Sequence, residues 1–216
     1  MKQSNANSIS GLKQSHGSKT ILLAVFFVSV LCFTTAASAQ EVIIKYYGIE
    51  MSINEDLSID NTITFKFKTP ISHLDYQPDF RIYDLNVSTN FGPIDCRTFE
   101  SNSRTRVSCD FTGIITEENY IRFDFRTKKG VKRAGNQYEF TVSYEIPKET
   151  ERVFASIKLP ERAVLAAEGN KSYFPKDADV ITDGRSIITI WERLNLTPGD
   201  TLDFSVLYEM AGTRKR

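Results

Sequence analysis

From residue 42 onward apolar and polar positions alternate with a period of two, in runs rich in Val, Ile, Phe, Tyr and Thr. Such runs fit a half-buried pleated surface. The pattern predicts strands at 42–53 (interrupted at Gly48), 57–68, 80–88, 94–100, 104–111, 120–126, 137–146, 153–159, 186–193 and 201–209. In "LSIDNTITFKFK", Leu57, Ile59, Ile63, Phe65 and Phe67 nearly complete one apolar face, while Thr62, Thr64, Lys66 and Lys68 fill the other. That is the signature of an antiparallel strand with one face in a core. "NED", "TP", "NFGP", "DG" and "TPGD" between the runs are turn signals. Only 161–169, "ERAVLAAEG", suggests a short helix, and no stretch keeps helical periodicity for three turns. The expected fold is all-β, an antiparallel immunoglobulin-like β-sandwich.

Two segments echo one another. "NQYEFTVSYEI" (136–146) and "DTLDFSVLYEM" (200–210) share acid-Phe-hydroxyl-Val-x-Tyr-Glu at matching positions, and "FKFKTP" (65–70) resembles "ASIKLP" (155–160). The echoes favour two tandem lobes, 40–146 and 147–210, over one larger sandwich, with a basic tail at 211–216. "FPKDADVITDGRSIITIWERLNLTPGDTLDFSVLYE", with the DGR, W-x-R and PGD positions around its strands, resembles the extracytoplasmic β-sandwich domains of archaeal membrane-associated and secreted proteins. The resemblance is carried mainly by residues 137–210. It implies fold and exposure outside the cytoplasm, and assigns no catalytic residue.

The first 39 residues read differently. Lys2, Lys13 and Lys19 precede the apolar run Ile21–Phe33, and Ala37 and Ala39 stand at −3 and −1 before Gln40. This is the order of a cleavable secretory signal. The alternative is an uncleaved N-terminal membrane anchor, since residues 20–39 carry no charge and are long enough to span a bilayer. Either outcome exports the chain after Gln40. Removing the three signal lysines turns a formal charge of +0 into −3, with 24 basic residues against 27 acidic ones. Nothing in that balance attracts nucleic acid.

The candidate chemistry is sparse. His73 is the only histidine after the signal, and no G-x-S-x-G occurs, so no nucleophilic triad is expected. One histidine and two separated cysteines do not make a zinc site, and no metal or cofactor is expected. A carboxylate pair of glycosidase type could be drawn from Asp75, Asp79, Asp84, Glu117, Glu118, Asp177, Asp179 and Asp183. "DADVITDG" (177–184) reads as a strand turning at Asp183-Gly184, its acid spacing being wrong for an EF-hand. Arg126, Lys128, Lys129, Lys132 and Arg133 form a candidate anion-binding loop. Trp191, the only tryptophan, reads as a core anchor. Sequons at Asn86, Asn170 and Asn195 are candidate glycosylation sites.

Cys96 and Cys109 sit symmetrically about Asn102-Ser103. A tight turn there would pair Ser101 with Arg104, Thr98 with Val107 and Cys96 with Cys109, within disulfide reach. In an exported chain the pair is expected to form a staple. The function that follows is a non-catalytic, secreted or membrane-anchored envelope protein that binds a protein or glycan. A secreted hydrolase using a carboxylate pair and a structural envelope component are the alternatives.

Overall fold

A computed structural model describes residues 41–101, 103–115, 118–166 and 171–211. The signal segment, Glu117 and the sequon asparagine Asn170 lie outside the described residues. Sixteen strands and no α-helix occur among those described.

The strands build three sheets. The largest has eight, in the spatial order β14 (Asp179–Thr182), β15 (Ile187–Leu196), β11 (Thr150–Lys158), β1 (Ile44–Ile53), β2 (Ile59–Phe67), β8 (Tyr120–Thr127), β4 (Tyr83–Thr89) and β5 (Gly92–Pro93). A five-stranded sheet runs β12 (Ala163–Leu165), β16 (Thr201–Met210), β10 (Gln137–Glu145) and β9 (Val131–Ala134), with β13 (Tyr173–Phe174) also paired to β16. The third orders β3 (Ile71–Tyr76), β7 (Arg104–Ile115) and β6 (Arg97–Ser101). All pairings are antiparallel except β1 with β11, which is parallel.

The two smaller sheets lie side by side on one face of the large one. Trp191 of β15 packs on Phe204 of β16 at 5.0 Å, and the Tyr144 hydroxyl of β10 donates to Met51 Sδ of β1 at 3.6 Å. Tyr76 of β3 meets Phe65 of β2 and Phe123 of β8 at 6.0 and 5.2 Å. The core is therefore a sandwich whose second layer is split.

This arrangement corrects the expected boundary at 146/147. β1 from the first expected lobe pairs with β11 from the second, and β10 pairs with β16, so both larger sheets contain strands from both halves within one compact unit. The echo has a different origin. β10 and β16 are neighbours in register Phe140↔Val206, Thr141↔Ser205 and Val142↔Phe204, so the like residues are related by a local twofold through Thr141 and Ser205. Two strands that bury the same face of one sheet select the same alternation.

Three local expectations also change. Gly48 does not interrupt β1, pairing with both Thr64 and Phe154; the irregularity lies between Ile44 and Tyr46. A Cβ at Gly48 would stand 2.9 Å from the Tyr46 ring, so a larger residue there would have to displace that ring. The expected helix at 161–169 is replaced at its start by β12, because Arg162 takes φ 65° and Ala163–Leu165 completes the free side of β16. The Asp183-Gly184 turn is wider than two residues, since the ladder closes at Thr182↔Ile187. Asp183 Oδ1 accepts from the amides of Arg185 and Ser186 at 3.0 and 2.8 Å, an Asx-type local bond that holds the longer loop.

Candidate functional site: a cleft at the seam

Where the split layer opens, its floor is the face of β1 and β2. Tyr47, Phe65 and Phe67 project there because the period-2 alternation of both strands turns them inward. Ile71, Leu74 and Tyr76 of β3 form one wall, and Tyr144 and Pro147, at and beyond the end of β10, form the other. The cleft has a volume of about 730 Å³. Its body is apolar and aromatic, and its rim carries His73, Asp75, Asp79, Arg104, Glu145 and Lys148.

Tyr76 is buried, and its hydroxyl has no hydrogen-bond partner among the described residues. Burial pushes its pKa well up, as it does for Tyr47 and Tyr144. An unmet hydroxyl in such a wall carries a desolvation cost that a partner would relieve.

The rim charges divide into occupied and free. Asp75 accepts from Arg106 at 2.6 Å and lies 3.3 Å from His73 Nε2, and chiefly through Arg106 its carboxyl is pulled down to about 2. His73 Nδ1 lies 2.8 Å from Asp110, and that bond raises the imidazole pKa. Asp79 is held by Lys129 at 3.0 Å. Arg104, Lys148 and Glu145 make no ion pair among the described residues.

The expected disulfide lies behind the β3 wall. Cys96 and Cys109 are bonded with their Cα atoms 4.5 Å apart, and the ladder Ser101↔Arg104 and Thr98↔Val107 has the register read from the cysteine spacing. Cys109, on β7, stands opposite Leu74 of the cleft wall on β3. A structural disulfide of this kind is favoured in an oxidising environment.

The other expected residues are dispersed. The five cations do not form one loop of free charge. Arg126 is on β8, bonded to Asp60 at 2.9 Å; Lys129 serves Asp79; Lys132 and Arg133 lie on β9, where Arg133 stacks over Tyr138 at 5.4 Å. Lys128 is exposed in the connection before β9. Trp191 is 1% exposed and donates from Nε1 to the Pro175 carbonyl at 2.9 Å, which makes it a core residue. Of the acids in "DADVITDG", Asp177 is taken by Arg193 at 2.8 Å and Asp183 by Lys158 at 2.7 Å, while Asp179 stands exposed on β14. Asp84 faces Arg126 at 3.8 Å, and Glu118 is exposed. No group of three or more His, Cys, Asp or Glu suited to a metal ion occurs among the described residues. Asn86 is exposed on β4, and Asn195 is exposed near the end of β15 with φ 56°.

Of the apolar residues of the cleft, the sequence marks Phe65 and Phe67 as one face of a strand and leaves Ile71, Leu74 and Tyr76 unmarked. The signal that could have marked the cleft is three tyrosines, Tyr47, Tyr76 and Tyr144, at inward positions. A buried hydroxyl needs a partner that phenylalanine would not.

No protein-family model matches the chain, and no curated protein matches it significantly. Solved structures do resemble it. The native leukotriene A4 hydrolase of Saccharomyces cerevisiae superposes with a TM-score of 0.51 at 12% identity, over 79% of this chain and 30% of that one. The yeast enzyme in complex with bestatin gives 0.50 at 12%, over 78% and 29%. A putative protease from Parabacteroides distasonis gives 0.46 at 11%, over 81% and 41%. The chain spans less than half the length of each of these proteins. At such identities the likeness to the yeast structures concerns the fold alone: the split β-sandwich occurs within larger chains.

Proposed function

We propose that the exported part of this chain is a non-catalytic binding module of the cell envelope, secreted or held by residues 20–39, that takes its ligand in the seam cleft. The cleft carries the reading. Its volume, about 730 Å³, and its apolar body with a few polar rim groups match the character of ligand sites in general. The export signal and the disulfide support the compartment.

Three of the candidate carboxylates are poorly suited to deliver a proton. A general acid needs a raised pKa. Asp75, Asp177 and Asp183 are instead pushed down, by Arg106, Arg193 and Lys158 in turn. Such acids remain anions at neutral pH and have no proton to deliver. The chain also lacks the His-Glu-x-x-His run by which a helix holds catalytic zinc.

The test uses the disulfide-bonded protein, incubated with envelope extract, repurified and weighed by native mass spectrometry. The wild type should retain a bound mass. Leu74→Arg, which puts a charge in the cleft wall, should lose it, and Leu194→Arg, at a site 60% exposed on β15, should keep it. Retention unaffected by Leu74→Arg, or turnover of a glycan or peptide by the pure protein, overturns the reading.

A further inference from the structure

We infer that the ligand of the seam cleft is an amphipathic anion, an apolar chain or ring system carrying one carboxylate or phosphate head. The inference rests on the binding reading above and adds the chemical class of the ligand. Two features set that class. The body of the cleft offers aromatic and aliphatic side chains, Tyr47, Phe65, Phe67, Ile71, Leu74 and Tyr144, so the part of the ligand inside must be apolar.

The rim sets the sign of the head. Its three carboxylates are not equally available: Asp75 is shared by Arg106 and His73, and Asp79 is neutralised by Lys129, which leaves Glu145 as the acid without an ion pair among the described residues. Against it stand two cations without ion pairs among the described residues, Arg104 on β7 and Lys148 in the connection from β10 to β11. Both line the cleft, Arg104 from the three-stranded sheet and Lys148 from the connection that leaves the five-stranded one, so the charge they would attract at the rim is an anionic head. Arginine suits a carboxylate or phosphate through two parallel N–H bonds, and lysine adds a compact charge.

Calorimetric titration of the disulfide-bonded protein with four probes of equal chain length tests the inference: laurate, dodecyl phosphate, dodecanol and dodecyltrimethylammonium, all below their aggregation thresholds. Laurate and dodecyl phosphate should bind about tenfold or more tightly than dodecanol, and the cationic probe should bind least, as expected for a charge-assisted contact. The ranking of the two anions tells a carboxylate head from a phosphoryl one. Arg104→Gln/Lys148→Gln, both exposed, should lower affinity for the anions about tenfold and leave dodecanol unchanged. Raising salt should weaken the anions alone. Equal binding of laurate and dodecanol, or anion binding that survives the double variant, overturns the inference while leaving a cleft that binds apolar ligands. Absence of binding by all four probes also overturns it. The binding reading fails separately, on the retained mass and on Leu74→Arg.

Discussion

The two sheets that cover the eight-stranded layer reach the same end by different means. In the five-stranded sheet, Phe140, Tyr144, Leu202, Phe204, Val206 and Tyr208 are all buried, and its two long strands pair over nine consecutive residues. The three-stranded sheet gives the core Ile71, Tyr76, Val107, Cys109 and Ile115, while every residue of β6 is exposed. A strand with no buried side chain gains little from the hydrophobic effect and leaves one edge unpaired. The disulfide ties the start of that strand to β7. One wall of the cleft is thus held by burial, and the other by a covalent link backed by surface ion pairs.

The comparison breaks first at Phe204. Its ring is 2% exposed and packs on Trp191 at 5.0 Å. Phe204→Ala should cost about 3–5 kcal/mol by the combined loss of transfer energy and the cavity left behind. Urea unfolding measures it, and a loss below about 1 kcal/mol would mean that the five-stranded sheet is not held by burial. Removing the staple comes next. Cys96→Ala/Cys109→Ala should cost about 3 kcal/mol on the chain-entropy account of a loop this short. Native-state hydrogen exchange should show protection falling in β3, β6 and β7 before β10 and β16. Equal loss in both sheets would erase the distinction drawn between them.

What the sequence disclosed follows from what alternation records. Period 2 reports which face of a strand is buried, and it located β2, β8, β10 and β16 closely. It is silent on partners. β1 and β11 pair across more than a hundred residues, and nothing local in either strand says so. β3 escaped because "ISHLDY" sets His73 and Asp75 on its outer face between two prolines, so its inward residues are too few to stand out. β9 escaped because Val131–Ala134 reads as a basic loop, although its backbone completes the edge of β10. The disulfide was legible because register and cysteine spacing are both local quantities. The cleft was not, because it is a gap between two sheets whose pairing the pattern cannot give.

The smallest expected effect concerns the ion pairs on the three-stranded sheet. His73 sits between Asp110 and Asp75, Arg106 holds Asp75, and Arg97 approaches Asp110 at 3.7 Å. The Asp75 carboxyl is pulled from 3.8 to about 2, so its contribution is present above about pH 4 and is lost as pH falls through 2. The His73 imidazole is raised above 6.5, so its contribution is complete below that pH and is lost as pH climbs through the raised value. The two windows overlap between about pH 4 and 6.5, where this sheet should be most secure. Both side chains are well exposed, at 47% and 38%, so solvent screening holds each contribution to about 0.2–1 kcal/mol. The difference in unfolding free energy between wild type and His73→Gln should therefore be measurable at pH 5.5, shrink by pH 9 and shrink again in 0.5 M salt. The Phe204→Ala deficit, being apolar, should stay level over the same sweep. A His73→Gln difference as flat as that of Phe204→Ala would show that the ion pairs do not help hold this wall, leaving the disulfide as what sets it apart from its neighbour.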